Sequence, residues 1–108
     1  MTEKLVVFCT CASPDEAEKI ARTLVEKQLA ACVNILPAVR SIYRWQGNVE
    51  DTTEVLLLIK TRQAVYPDLE KEIRKLHSYS APEIVAIVID RGSAAYLDWI
   101  AAETSAIQ

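Results

Sequence analysis

Apolar and polar positions alternate along this chain in a way that divides it into seven segments. The first, residues 4–11, carries the run Leu5-Val6-Val7-Phe8-Cys9 with no polar residue at every second place. Such a run predicts a strand covered on both faces. A helix is predicted at once after it. Ser13 takes the N-cap, Pro14 the first helical position, and Glu16, three residues after Ser13, completes the spacing of a capping box. Ala17, Ile20, Ala21, Leu24, Val25 and Leu29 then recur on one side, opposite Glu18, Lys19, Arg22 and Glu26.

From Ala31 the period changes to that of a strand, which passes through Val33 and Ile35, bends at Pro37 and resumes as Ser41-Ile42-Tyr43-Arg44-Trp45-Gln46. Gly47-Asn48 predicts a two-residue hairpin turn. That turn would set Arg44 opposite Asp51 and Ile42 opposite Thr53, and Pro37 predicts a bulge that shifts the pairing further back. The returning strand reaches Lys60 or Thr61, with Val55 to Ile59 at its centre. Arms of roughly 12 to 15 residues span about 40 to 50 Å, whereas the first helix spans only about 25 Å, so the hairpin tip must overhang the body.

A second helix is expected over about residues 64–77, starting near Pro67, with Val65, Leu69, Ile73 and Leu76 on one stripe and Glu70 spaced to pair with Arg74. Residues 83–90 (EIVAIVID) form the fourth strand, apolar on both faces. Ser93 caps a short last helix containing Tyr96, Leu97, Trp99 and Ile100. The order β-α-β-β-α-β plus a terminal helix predicts a ferredoxin-like α+β sandwich, one domain over residues 1–108, with a long protruding β-hairpin and a C-terminal helix. Both main helices would pack on one sheet face. The other face would then expose a hydrophobic patch larger than soluble monomers tolerate, and another copy of the chain must cover it. Tyr43 and Trp45 near the hairpin tip supply aromatic anchors for that contact.

Composition narrows the functional classes. The chain has 108 residues, 51% of them hydrophobic and 25% charged, an ordinary globular mixture. Its net charge of −3 and lack of a basic patch argue against nucleic acid as a partner. The apolar run near the start is too short for a secretory signal core or a membrane span, which points to a cytoplasmic protein that does not engage the membrane. Cys9, Cys11 and Cys32 form no even framework and are expected to remain thiols. An acylphosphatase-type enzyme of this topology needs a phosphate-cradling loop with Gly and Arg after the first strand, but Thr10-Cys11-Ala12-Ser13-Pro14 stands there. An RNA-binding sheet needs aromatics on its central strands, where Phe8 is the sole one. A metal chaperone would carry Cys-x-x-Cys in its first loop.

The segments A-C-V-N-I-x-P (31–37), S-I-Y-R-W-Q-G (41–47), E-V-L-L-L-I-K-T (54–61), H-S-Y-S-A-P-E-I (77–84) and Y-L-D-W (96–99) resemble the CutA family of divalent-cation tolerance proteins, in that family's order and over nearly the whole chain. The resemblance implies a homotrimer with three sheets facing one another, similar in architecture to the PII signalling proteins. It also implies tolerance of copper and other divalent metals, without an obligatory cofactor and without a catalysed reaction. Of the family's proposed copper ligands, the cysteine of the first strand matches Cys9 and the second histidine of a His-His pair matches His77. Leu76 stands at the first histidine position and Ser78 at the following proline.

The residues themselves leave alternatives open. Cys9 suits a soft metal ion, with Cys11 on the same face if the strand continues; it also suits a buried small hydrophobe. His77, at the end of the second helix, either binds metal or favours that helix terminus as a cation. Lys60 and Glu83, each at a strand end, form a structural ion pair or hold a ligand in an intersubunit cleft. Trp45, Tyr79 and Trp99 line such a cleft or pack at an interface, and Cys32 packs at the start of the second strand or lines a site. Glu50, Asp51 and Glu54 attract a hard cation or are solvated charges. Two functions compete: a trimeric metal-responsive protein, and a PII-like trimer that senses a small anion or nucleotide; a signalling scaffold is the third class.

Overall fold

The computed structural model describes residues 2–105. In chain order its elements are β1 (Lys4–Cys11), α1 (Pro14–Glu26), β2 (Cys32–Trp45), β3 (Asn48–Arg62), α2 (Tyr66–Leu76), β4 (Ile84–Val88) and α3 (Ala94–Ala102). The strands form one antiparallel sheet in the order β2-β3-β1-β4, which is the ferredoxin-like α+β arrangement with an added C-terminal helix.

The helix ends follow from local chemistry. Ser13 Oγ accepts the backbone N–H of Glu16 at 3.2 Å, and Ser93 Oγ accepts that of Tyr96 at 3.3 Å, so each serine satisfies one orphan donor of the first turn. The Glu16 carboxylate is drawn elsewhere: it accepts the N–H of Ser78 at 2.8 Å and the Ser78 hydroxyl at 3.1 Å, tying α1 to the segment after α2. Gln28 turns the chain out of α1 at φ 59°, and the N–H groups of Leu29 and Ala30 both return to the carbonyl of Leu24. Leu29 therefore lies past the helix rather than on its stripe, yet is fully buried. Helix α2 starts at Tyr66, with Val65 as an N-cap that has no side-chain hydrogen bond.

The hairpin turns one residue earlier than Gly47-Asn48. Trp45 pairs with Asn48, and Gln46 and Gly47 occupy the turn at φ 49° and 83°, the double left-handed conformation that matches strand twist. Arg44 thus faces Val49, and Ile42 faces Asp51. Asp51 finds its cation diagonally, in Arg40, which donates from Nε at 2.9 Å and from Nη2 at 2.5 Å. The pairing slips between Leu36 and Val39, at Pro37, because proline has no N–H to give a ladder.

Alternation then sorts the sheet. Leu5, Val7, Cys9, Val55, Leu57 and Ile59 point to the helices and form one core with Ile20, Leu24, Val65, Leu69 and Ile73. The residues between them, Val6, Phe8, Leu56 and Leu58, point to the other face and are half-buried, while Val85 and Ile87 of β4 on that face are 52% and 57% exposed. Among the described residues no helix is long and apolar enough to cross a membrane.

Candidate functional site

Strand β1 ends against the C-terminus of α2, and that junction gathers sulfur and nitrogen donors. Cys9 and Cys11, two residues apart on one strand, point the same way, toward the helices, and both are fully buried. His77 caps α2, its N–H bonded to the Ile73 carbonyl at 2.9 Å. The ligand atoms of Cys9, Cys11 and His77 all lie within 4.8 Å of one another.

The imidazole is held by two hydrogen bonds. Tyr79 donates its backbone N–H to Nδ1 at 3.1 Å, so Nδ1 carries a lone pair; Nε2 then carries the proton and donates it to the Thr10 carbonyl at 2.7 Å. The Tyr79 ring stands 4.8 Å from the imidazole, and its hydroxyl donates to Glu54 Oε2 at 2.9 Å. Burial, and then Glu54, push that phenol well above its ordinary range. The Cys9 thiol is also pushed far up, first by its hydrogen bond with Cys11, then by burial, then by the charges of Cys11, Glu83 and Glu16. Burial raises the Glu16 carboxyl, but the two bonds from Ser78 and the nearby His77 outweigh it and hold the group below the usual carboxylate range.

These donors fit a soft metal ion. Around a tetrahedral ion with Zn–S near 2.3 Å and Zn–N near 2.0 Å, donor atoms sit roughly 3.5 to 4 Å apart, so the present spacing needs about 1 Å of adjustment. Two thiolates and an imidazole match the preferences of copper(I) and zinc. Binding through both sulfurs must expel two thiol protons and replace one of the two imidazole hydrogen bonds, so uptake is coupled to proton release.

Other candidate residues separate into three places. Trp45, Tyr79, Glu54 and Glu83 line a cleft between the hairpin and the segment joining α2 to β4. Lys60 is elsewhere: it faces Val6 near the start of β1, whereas Glu83 adjoins Ile84, which faces Cys9 toward the end of that strand. Within one chain the Lys60–Glu83 ion pair suggested by their strand-end positions does not form, because antiparallel register sets the two apart along β1. Lys60 instead hydrogen-bonds Asn34 Oδ1 and lies 3.9 Å from the sulfur of Cys32, its cross-strand partner. Trp99 on α3 stacks with Tyr96 at 5.6 Å and is not part of the cleft. Of the acidic cluster, Asp51 pairs with Arg40 and Glu54 is 7% exposed, so these are not equivalent solvated charges. Glu54 as the buried partner of Tyr79 was not singled out from the sequence, although its alternation with Leu56 and Leu58 puts it on the same sheet face.

Comparison with known proteins agrees with this architecture. The sequence profile described as CutA1 divalent ion tolerance protein matches residues 5–103. The divalent-cation tolerance protein CutA of Thermus thermophilus is 50% identical over 99 residues, which is 92% of this chain and 96% of that protein. Protein CutA of Mus musculus is 41% identical over 100 residues, covering 93% of this chain but 56% of the mouse protein, so the chain spans little more than half of that relative. The solved structure of the divalent cation tolerance protein (Cut A1) from Thermus thermophilus superposes with a TM-score of 0.93 at 48% identity, covering 94% of this chain and 99% of the other. On profile, identity and fold together, the chain belongs to the CutA family of divalent-cation tolerance proteins.

Proposed function

We propose that the protein serves divalent-cation tolerance as a homotrimer that takes up a soft metal ion, copper before others, at Cys9, Cys11 and His77, without catalysing a reaction. The observation that carries this reading is the convergence of two thiols and one imidazole within 4.8 Å. Leu76 occupies the place of a first histidine, and Cys11 supplies the third donor in its stead. Its hydrogen bond with Cys11, and then burial, keep the Cys9 thiol from ionising on its own. A cation that binds thiolate strongly enough reverses that balance, and copper(I) is the natural candidate. The trimer rests on the apolar sheet face that carries Val85 and Ile87. A small anion or nucleotide is less suited to the cleft within one chain, where Glu54 and Glu83 line it and Lys60 does not.

Calorimetry on reduced protein with copper(I), copper(II) and zinc(II) tests the metal site. Binding of copper(I) tighter than about 10 μM is expected, lost in Cys9→Ser and weakened in Cys11→Ser. No ion bound at that affinity would sink the metal reading. Light scattering tests the assembly, with a mass three times the 12.1 kDa of one chain expected.

A further inference from the structure

The cleft between the hairpin and the segment joining α2 to β4 has a volume of about 680 Å³, in the range of sites that hold a small metabolite and far more than a bare ion needs. Three aromatic side chains line it, Tyr43, Trp45 and Tyr79, with two carboxylates, Glu54 and Glu83. Its one lining cation, Arg40, is already held by both oxygens of Asp51. Glu54 is the informative member. It is 7% exposed, and its partner among the described residues is the hydroxyl of Tyr79, a neutral group. A carboxylate withdrawn from water and met only by a phenol carries an uncompensated negative charge. It lines the cleft together with aromatic rings, whose π-faces attract cations.

We propose that this cleft binds a small organic cation, an ammonium or guanidinium group on a short apolar body, with Glu54 and Glu83 at the charge and Tyr43, Trp45 and Tyr79 around the body. A hard metal ion would need six or more oxygen ligands, and two carboxylates with a phenol fall short of that. An anion would meet both carboxylates with no free cation to offset them. The cleft adjoins the thiol cluster through Tyr79, whose ring stands 4.8 Å from that of His77, but its two carboxylates are not among the three donors gathered there.

Titration calorimetry on the full chain in its native assembly, at low salt, tests the assignment with 2-phenylethylammonium and 2-phenylethylguanidinium as probes and 3-phenylpropionate as the anionic control. Both cations are expected to bind below about 1 mM with a change in tryptophan fluorescence, and the control at least thirtyfold more weakly. Glu54→Gln keeps an acceptor for the Tyr79 hydroxyl and should weaken both cations at least tenfold; Glu83→Gln should weaken them several-fold and carries the comparison should Glu54→Gln fail to fold. Absence of cation binding tighter than 1 mM in the assembled protein would overturn the proposal, as would a neighbouring copy's side chain filling the cleft and excluding the probes. Equal binding of the anionic control, or unchanged affinity in both glutamine variants, would overturn it as well.

Discussion

The two faces of the sheet use the same side chains to different ends. Val7, Leu57 and Ile59 turn to the helices and are completely buried, while their neighbours Phe8 and Leu58 turn the other way and, with Val85 and Ile87, remain partly or largely in water. One face is closed by α1 and α2; on the other, Val85 and Ile87 stay exposed among the described residues. Hydrophobicity along a strand thus reports that a face will be buried, and not by which molecule. The placement of the helices decides that, since α1 and α2 lie on the same side.

The largest effect expected is on the open face. Replacing Val85 and Ile87 together by lysine puts two like charges on it, and light scattering should show the assembly falling to single-chain mass with far-ultraviolet circular dichroism retained. An unchanged mass would mean that this face is not where copies meet. Next comes a pair of neighbours. Leu57→Ala should cost about 2 to 4 kcal/mol in denaturant unfolding, because it empties a filled core, whereas Leu58→Ala in the dissociated double-lysine background should cost under about 1 kcal/mol. Equal losses would erase the distinction between faces. A smaller effect is expected at Thr61, fully buried among the helix-side residues, whose hydroxyl donates to the Leu29 carbonyl at 2.8 Å. Thr61→Val should cost about 1 to 2 kcal/mol by leaving that carbonyl without its donor.

The smallest effect concerns pH. The Glu16 carboxyl is held below its ordinary value in the folded protein, so its contribution is present above the unfolded-state value and is lost as pH falls through the depressed folded one. Melting temperature should therefore decline between about pH 5 and pH 3 more steeply in the native protein than in Glu16→Gln. Parallel curves would remove Glu16–Ser78 as a tie between α1 and the segment that carries His77.

Much of this was legible along the chain. Ser13 and Ser93 cap where their spacing says, Pro37 marks the bulge, and Glu70 meets Arg74 at 3.8 Å. What failed did so for lack of a local signal. The hairpin slipped by one because Gln46 adopts a left-handed conformation that composition assigns to glycine or asparagine, and the charge partner of Asp51 moved from Arg44 to Arg40 with it. Lys60 and Glu83 looked alike as strand ends, but strand register sets them apart within one chain. For the thiol cluster, the period-two spacing of Cys9 and Cys11 was visible; the hydrogen bonds that hold His77 beside them come from backbone atoms of Thr10 and Tyr79, which no side-chain pattern encodes.

The slip at Pro37 has a consequence for solubility. Strand β2 is an outer strand of 14 residues, and a straight strand of that length would offer a foreign chain a continuous rail of backbone donors and acceptors. The break divides its pairing into five residues, Cys32 to Leu36, and seven, Val39 to Trp45, that do not share one register. An incoming strand that fits one stretch runs out of step with the next, which blunts fibre growth from this edge. Pro37→Ala, by restoring the missing donor, would bring back the template.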